Sequence, residues 1–256
     1  MSLLSFLVSI LPVILIGIYI YSRDKEKESS RLLLKLFVFG ILSCFPAVVL
    51  GSFIGDLFPS VNNMSFIQLF LYIFIAVALI EELCKWFFVY RISYNHSEFD
   101  TVYDMIVYSS FVALGFACFE NILYVQSLGI VAGLVRAVSA VPGHVCDGIL
   151  MGFYLGLSKM SRVQGNNSQS KKYMLLSIFI PVITHGIYDF CLFWGSDLFV
   201  IIFVIFLINL FNICVKKVRQ VSQNDIRFKY NNNNYCTNCG TRVDSNFCPV
   251  CGKENN

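Results

Sequence analysis

Charge is scarce in this chain. Asp, Glu, Lys and Arg together make up 14% of its 256 residues, against roughly 25% in soluble domains, which argues against an ordinary water-soluble fold. Histidine is scarcer still, with three residues. There is no Gly-x-Ser-x-Gly elbow, Walker loop, His-Glu-x-x-His pair or dinucleotide fingerprint, so serine-elbow, P-loop, zincin and Rossmann chemistry have no foothold. A serine-type intramembrane protease lacks its nucleophile signature, and a paired-aspartate one lacks its two buried Asp motifs. No repeat of solenoid period occurs. The cysteines do not form the framework of a small secreted disulfide protein. Leu3–Tyr21 has no basic segment before it and no small-residue cleavage site after it, so it reads as a retained helix rather than a signal peptide.

What the chain does have is long apolar runs, and its mean hydropathy is +0.69. They span roughly Leu3–Tyr21, Leu32–Ile54, Phe66–Tyr90, Val102–Leu128, Ile130–Leu157, Tyr173–Trp194 and Leu198–Val215. About 20 such residues cross a hydrocarbon core of roughly 30 Å. The fold class expected is therefore an all-α polytopic membrane protein with about seven transmembrane helices. Pro142-Gly143 should break the fifth run, which leaves room for an eighth, re-entrant piece. Basic residues set the orientation. Arg23, Lys25, Lys27 and Arg31 place the first loop in the cytoplasm, as do Lys159, Arg162, Lys171 and Lys172 for a later loop and Lys216, Lys217 and Arg219 for the tail. The connections near Asp56–Met64, Gln126–Ile130 and Gly195–Asp197 carry no Lys or Arg. Seven passes with the N-terminus outside satisfy this pattern.

The chain divides into three units: a membrane domain over 1–215, a polar linker over 216–235 and a small module over 236–256. In the module, Cys236-x-x-Cys239-Gly and Cys248-x-x-Cys251-Gly are separated by a short loop. Four thiolates in this arrangement suit a closed tetrahedral site, so a structural zinc ribbon is expected, unfolded without its metal. A redox reading of the CxxC pairs needs a βαβ setting that is missing. The other six cysteines sit singly in apolar segments, as small hydrophobes do.

Ionisable groups inside spans are costly and are functional candidates by default. The third run carries Glu81, Glu82 and Lys85, with Lys85 in reach of either carboxylate at i,i+4 and i,i+3. A structural ion pair would explain one carboxylate but not both. The fourth run carries Phe116, Glu120 and Asn121, with Tyr124 a turn on. Pro142, His144 and Asp147 lie in the fifth, and Thr184, His185 and Asp189 in the sixth. His185 and Asp189 share a helix face. The spacings permit one polar cavity near mid-membrane. Asp104, near a span end, and Arg136, as a structural partner, are weaker candidates, and His96 lies in a loop.

In that order, Glu81-Glu82-x-x-Lys85, Phe116-x-x-x-Glu120-Asn121, His144 and His185-x-x-x-Asp189 resemble the PrsW intramembrane proteases, within the group that holds the CAAX prenyl endopeptidases and Abi proteins. The resemblance covers residues 65–195. Asp147 stands three residues after His144, with Gly148 at the fourth, which departs from the family pattern. The resemblance implies a bacterial cell-membrane protease that cuts a membrane-anchored protein, such as an anti-sigma factor, in or near the bilayer. Its catalytic set here would be Glu81, Glu82, Lys85, Glu120, His144, His185 and Asp189. One carboxylate of the Glu81/Glu82 pair would act as general base on a water. The histidines would either stabilise the oxyanion or bind a catalytic metal. The rival readings are a non-catalytic, immunity-type membrane protein whose ribbon recruits a cytoplasmic partner, and a proton-coupled transporter, for which no matching halves are found. No nucleic-acid partner is expected.

Overall fold

The structure is a computed structural model, and it describes residues 3–224 together with 228, 241, 248, 250, 251 and 253. Those residues are almost wholly helical. The helices are α1 (Leu3–Arg23), α2 (Ser30–Gly55), α3 (Phe66–Ser93), α4 (Val102–Leu128), α5 (Ile130–Val138), α6 (Ala140–Val163), α7 (Asn167–Trp194) and α8 (Asp197–Gln223). Seven stretches are long and apolar enough to cross a membrane, with α5 and α6 together making the fifth.

The break in the fifth span falls at Ser139 and not at Pro142-Gly143. Pro142 is the third residue of α6, where backbone N–H groups have no intrahelical acceptor, so its missing donor costs nothing there. The hydroxyl of Ser139 donates to the Val135 carbonyl at 2.8 Å and accepts from Tyr188 at 3.0 Å, which fixes the corner.

Helix α4 is the axis of the bundle, with every residue from Val102 to Cys118 except Phe111 buried. Lipid tails give apolar helices no hydrophobic reason to associate, so close approach of backbones holds them. Gly148, Gly152 and Gly156 recur every fourth residue on α6, and a Cβ at Gly152 would collide with Ser109 Oγ and the Met105 carbonyl of α4. At the opposite α2–α4 contact, Gly40 and Gly115 let the two backbones touch in the same way. Asp104 belongs to this scaffold: it caps α4 reciprocally with Thr101. Asn121 donates to the Ser9 carbonyl of α1 at 3.1 Å.

Of the tail, α8 runs on to Gln223, and Phe228 packs edge-on to Phe99 with its N–H on the Asp100 carbonyl at 2.8 Å. Cys248 is buried and its N–H donates to the Lys253 carbonyl at 2.9 Å, while Cys251 is exposed. Cys236 and Cys239 lie outside the described residues, as does half of the linker.

Candidate active site

The site begins with a distortion in α3. Tyr72–Leu79 is π-helical and hands over to a regular α-helix at Ile80. A π-turn shifts the register of the residues beyond it and is frequent at functional positions. Glu81 and Glu82 follow directly on this turn and both face the interior, with side-chain exposures of 20% and 0%. Gly186 of α7 lets the Phe74 ring lie flush against the backbone beside His185.

The two adjacent glutamates have different surroundings. Glu82 Oε1 accepts from Lys85 Nζ at 2.6 Å and faces His185 Nδ1 at 2.7 Å. Glu81 Oε2 is 3.9 Å from Lys85 Nζ and 3.7 Å from His185 Nε2, and it has no hydrogen-bond partner. The other ring nitrogen of His185, Nε2, is 3.2 Å from Asp189 Oδ2. An imidazolium at His185 would therefore find a carboxylate acceptor at each nitrogen.

Lys85 also fixes the tautomer of His144. Its Nζ lies 3.1 Å from His144 Nδ1, and an ammonium only donates, so Nδ1 must accept. His144 Nε2 then carries the hydrogen and donates to Glu120 Oε2 at 2.8 Å. The same oxygen receives Arg136 Nη2 at 2.8 Å. The two imidazole rings meet edge to face, with centroids 5.2 Å apart.

All seven of Glu81, Glu82, Lys85, Glu120, His144, His185 and Asp189 thus converge on one region. Asp147, left open by the sequence, joins them: it is buried and accepts from Thr184 Oγ1 at 2.5 Å. Arg136, set aside from the sequence as structural, lines the same cavity. Its position in an apolar segment was the available signal. Thr184 beside His185 gave none, because a lone Thr in a span is commonplace. Glu120 is eight residues before the end of α4 and His185 nine before the end of α7, about 12–14 Å along each helix at 1.5 Å per residue.

Two cavities meet there. An inner one of about 210 Å³ is lined by Glu81, Glu120, His144, Asp147, His185 and Asp189, among others. A larger groove of about 600 Å³ runs from Asp56 and Pro59 between α2 and the π-helical turn. Val77, Glu81 and Glu120 line both.

The donor set suits a divalent ion in type. Ligand atoms of Glu82, His144, Asp147 and His185 lie within 4.8 Å of one another, all four residues are buried, and Glu82 Oε2 has no partner. Two imidazoles with two carboxylates are ordinary zinc ligands. The constraint is Lys85, whose ammonium already contacts Glu82 Oε1 and His144 Nδ1, so an ion that uses those two atoms must displace it.

Residues 28–213 match the family described as PrsW family intramembrane metalloprotease. The chain is 35% identical to "Protease PrsW" of Oceanobacillus iheyensis over 217 residues, 85% of this chain and 95% of that protein. It is also 35% identical to that of Bacillus subtilis over 184 residues, covering 72% and 80% of the two chains. For Clostridioides difficile the identity is 29% over 225 residues, covering 86% and 92%. No solved structure matches.

Proposed function

The chain belongs to the PrsW family of intramembrane proteases, and within that activity we propose that Glu81 activates the water that hydrolyses a peptide bond of a membrane-anchored protein. One observation carries this reading. Glu81 borders both the groove and the inner cavity and is 20% exposed, whereas Glu82 is wholly buried and sealed beneath Lys85 and His185.

In this mechanism a substrate strand lies along the groove and its scissile carbonyl enters the inner cavity. Glu81 takes a proton from water as the water oxygen bonds to the carbonyl carbon. The carbonyl π electrons move to oxygen, and the positive charge of a His185 imidazolium, held between Glu82 and Asp189, supports that charge. Collapse of the intermediate breaks the C–N bond, and Glu81 returns its proton to the leaving amine. Glu82 acts on the reaction through His185, whose ring it aims together with Asp189. Lys85 neutralises Glu82 and sets the His144 tautomer.

A second reading has one supporting observation, the four-donor cluster. Glu82, His144, Asp147 and His185 would hold a divalent ion, which when bound supplies Lewis-acid polarisation and a more acidic water. We favour the first because the cluster already carries its own cation in Lys85.

The remaining elements of the proposal are an anti-sigma factor as the kind of substrate, a bacterial cell membrane as the location, and an outward N-terminus. The tail would bind one structural zinc through Cys236, Cys239, Cys248 and Cys251 on the inner face, where a cytoplasmic partner could read it. Replacing Glu81 by Gln tests the centre of this reading: cleavage of a single-span test peptide should be lost while the protein stays folded in detergent.

A further inference from the structure

Arg136 is the second permanent cation of the site, and nothing in the hydrolytic mechanism uses it. It sits on α5, the short helix that opens the fifth span, with its side chain 15% exposed. Among the described residues, the inner cavity and the cluster beneath it gather five carboxylates, Glu81, Glu82, Glu120, Asp147 and Asp189. Lys85 serves the Glu82 end of this group. Arg136 serves Glu120.

Two contacts and one unpartnered atom define what Arg136 does. Its Nη2 donates to Glu120 Oε2 at 2.8 Å, the same oxygen that receives His144 Nε2 at 2.8 Å. Its guanidinium lies 3.9 Å from the centroid of the Tyr124 ring, one turn beyond Glu120 on α4. Its Nε is buried without a hydrogen-bond partner. A purely structural arginine normally spends its five donors on nearby acceptors, and a buried unsatisfied one calls for an explanation. Here the side chain is stacked on Tyr124 and pointed at one carboxylate oxygen, with satisfaction elsewhere given up. The base of the arm is also fixed, because the Ser139 hydroxyl ties the end of α5 to Tyr188.

Glu120 forms part of the wall shared by the groove and the inner cavity. We propose that Arg136 is a positioning residue for the hydrolysis: it holds Glu120 in that wall, so that Glu120 grips His144 Nε2 and keeps the imidazole facing the inner cavity. This rests on the protease reading of the site. Arg136 has no ion pair with Glu81 or Glu82, and its contact with the catalytic carboxylates and imidazoles is the one to Glu120. An imidazole or carboxylate misplaced by about 1 Å can cost on the order of 100-fold in rate, while Arg136 itself does not line the groove that binds the peptide.

The test uses the full-length protein in detergent micelles with a fluorogenic single-span peptide, in wild type, Arg136→Gln, Arg136→Lys, Glu120→Gln and the Arg136→Gln/Glu120→Gln double variant. The expected result is a loss of about 10- to 100-fold in kcat for Arg136→Gln at nearly unchanged KM. Arg136→Lys should recover part of it, and the double variant should be no slower than Glu120→Gln alone. Wild-type kcat in Arg136→Gln, a change in KM alone, or losses that multiply in the double variant would overturn the assignment. If Arg136→Gln does not fold, Arg136→Met takes its place, and wild-type kcat there overturns the assignment equally. A Glu81→Gln control separates the two ideas. Full activity in that control sinks the water-activation reading, whereas an Arg136 failure beside an inactive Glu81→Gln sinks only the present inference.

Discussion

Thr184 Oγ1 donates to Asp147 Oδ1 at 2.5 Å, and this contact joins the two helices that carry the histidines. Asp147 lies three residues after His144 on α6, and Thr184 immediately precedes His185 on α7. The hydroxyl therefore ties a buried carboxylate to the helix that positions the second imidazole. Thr184→Val keeps the shape and removes the donor, leaving Asp147 with a buried, unsatisfied oxygen. We expect a stability loss of about 1–3 kcal/mol and a clear drop in cleavage, with Thr184→Ser close to wild type. Thermal melts and cleavage rates in detergent check this. Equal behaviour of the Val and Ser variants would leave Asp147 without a role in the site.

A second prediction concerns the loop between α1 and α2. Glu28 is buried, accepts from the Tyr108 hydroxyl and is hydrogen-bonded to Glu98. Burial, the negative charges of Asp104 and Asp24 and the bond to Glu98 raise its pKa from 4.5 to about 9, against the opposing effect of Tyr108. The folded protein thus holds this proton more tightly than the unfolded chain does. The stability it contributes is full below pH 4.5 and is lost as pH rises towards about 9, with a slope of at most about 1.4 kcal/mol per pH unit. Glu28→Gln, which keeps both hydrogen bonds without an ionisable proton, should flatten the melting-temperature profile between pH 6 and 9. An unchanged slope in that variant would contradict the assignment.

The spans were legible because a bilayer imposes a length that a run of apolar residues must meet. Val102–Leu128 was read from the sequence to the residue. Other helices overrun their apolar runs: α7 starts at Asn167 where the run starts at Tyr173, and α8 ends at Gln223 where the run ends at Val215. Hydrogen bonding propagates a helix into water where hydropathy has stopped. The π-helical turn at Tyr72–Leu79 left no trace, because its eight residues are uniformly apolar. Without that turn, the different roles of Glu81 and Glu82 could not be seen. The Gly148, Gly152 and Gly156 stripe was visible but unread, and it explains why α6 lies so close against α4. The partnership of Asp147 and Thr184 depends on how α6 and α7 pack, which no spacing along one helix encodes.

Metal content separates the two readings of the membrane site and tests the tail at once. Elemental analysis of the purified full-length protein should find about one zinc, lost in a Cys236→Ser/Cys239→Ser variant that still folds. With the tail site removed, the glutamate reading predicts no further metal, in wild-type Lys85 and in Lys85→Met alike, and no activity in the latter. Metal that persists, rises in Lys85→Met and falls in His144→Ala would instead favour an ion held by Glu82, His144, Asp147 and His185.

The most direct test of water activation by Glu81 is the single-turnover cleavage rate of Glu81→Gln against wild type, with peptide binding measured in parallel. A general base contributes typically 10²- to 10⁴-fold. The expected result is a loss of that size with the protein folded and the peptide still bound. A Glu81→Gln enzyme cutting at more than about a tenth of the wild-type rate would contradict it, since a true base in this position is worth at least about 100-fold.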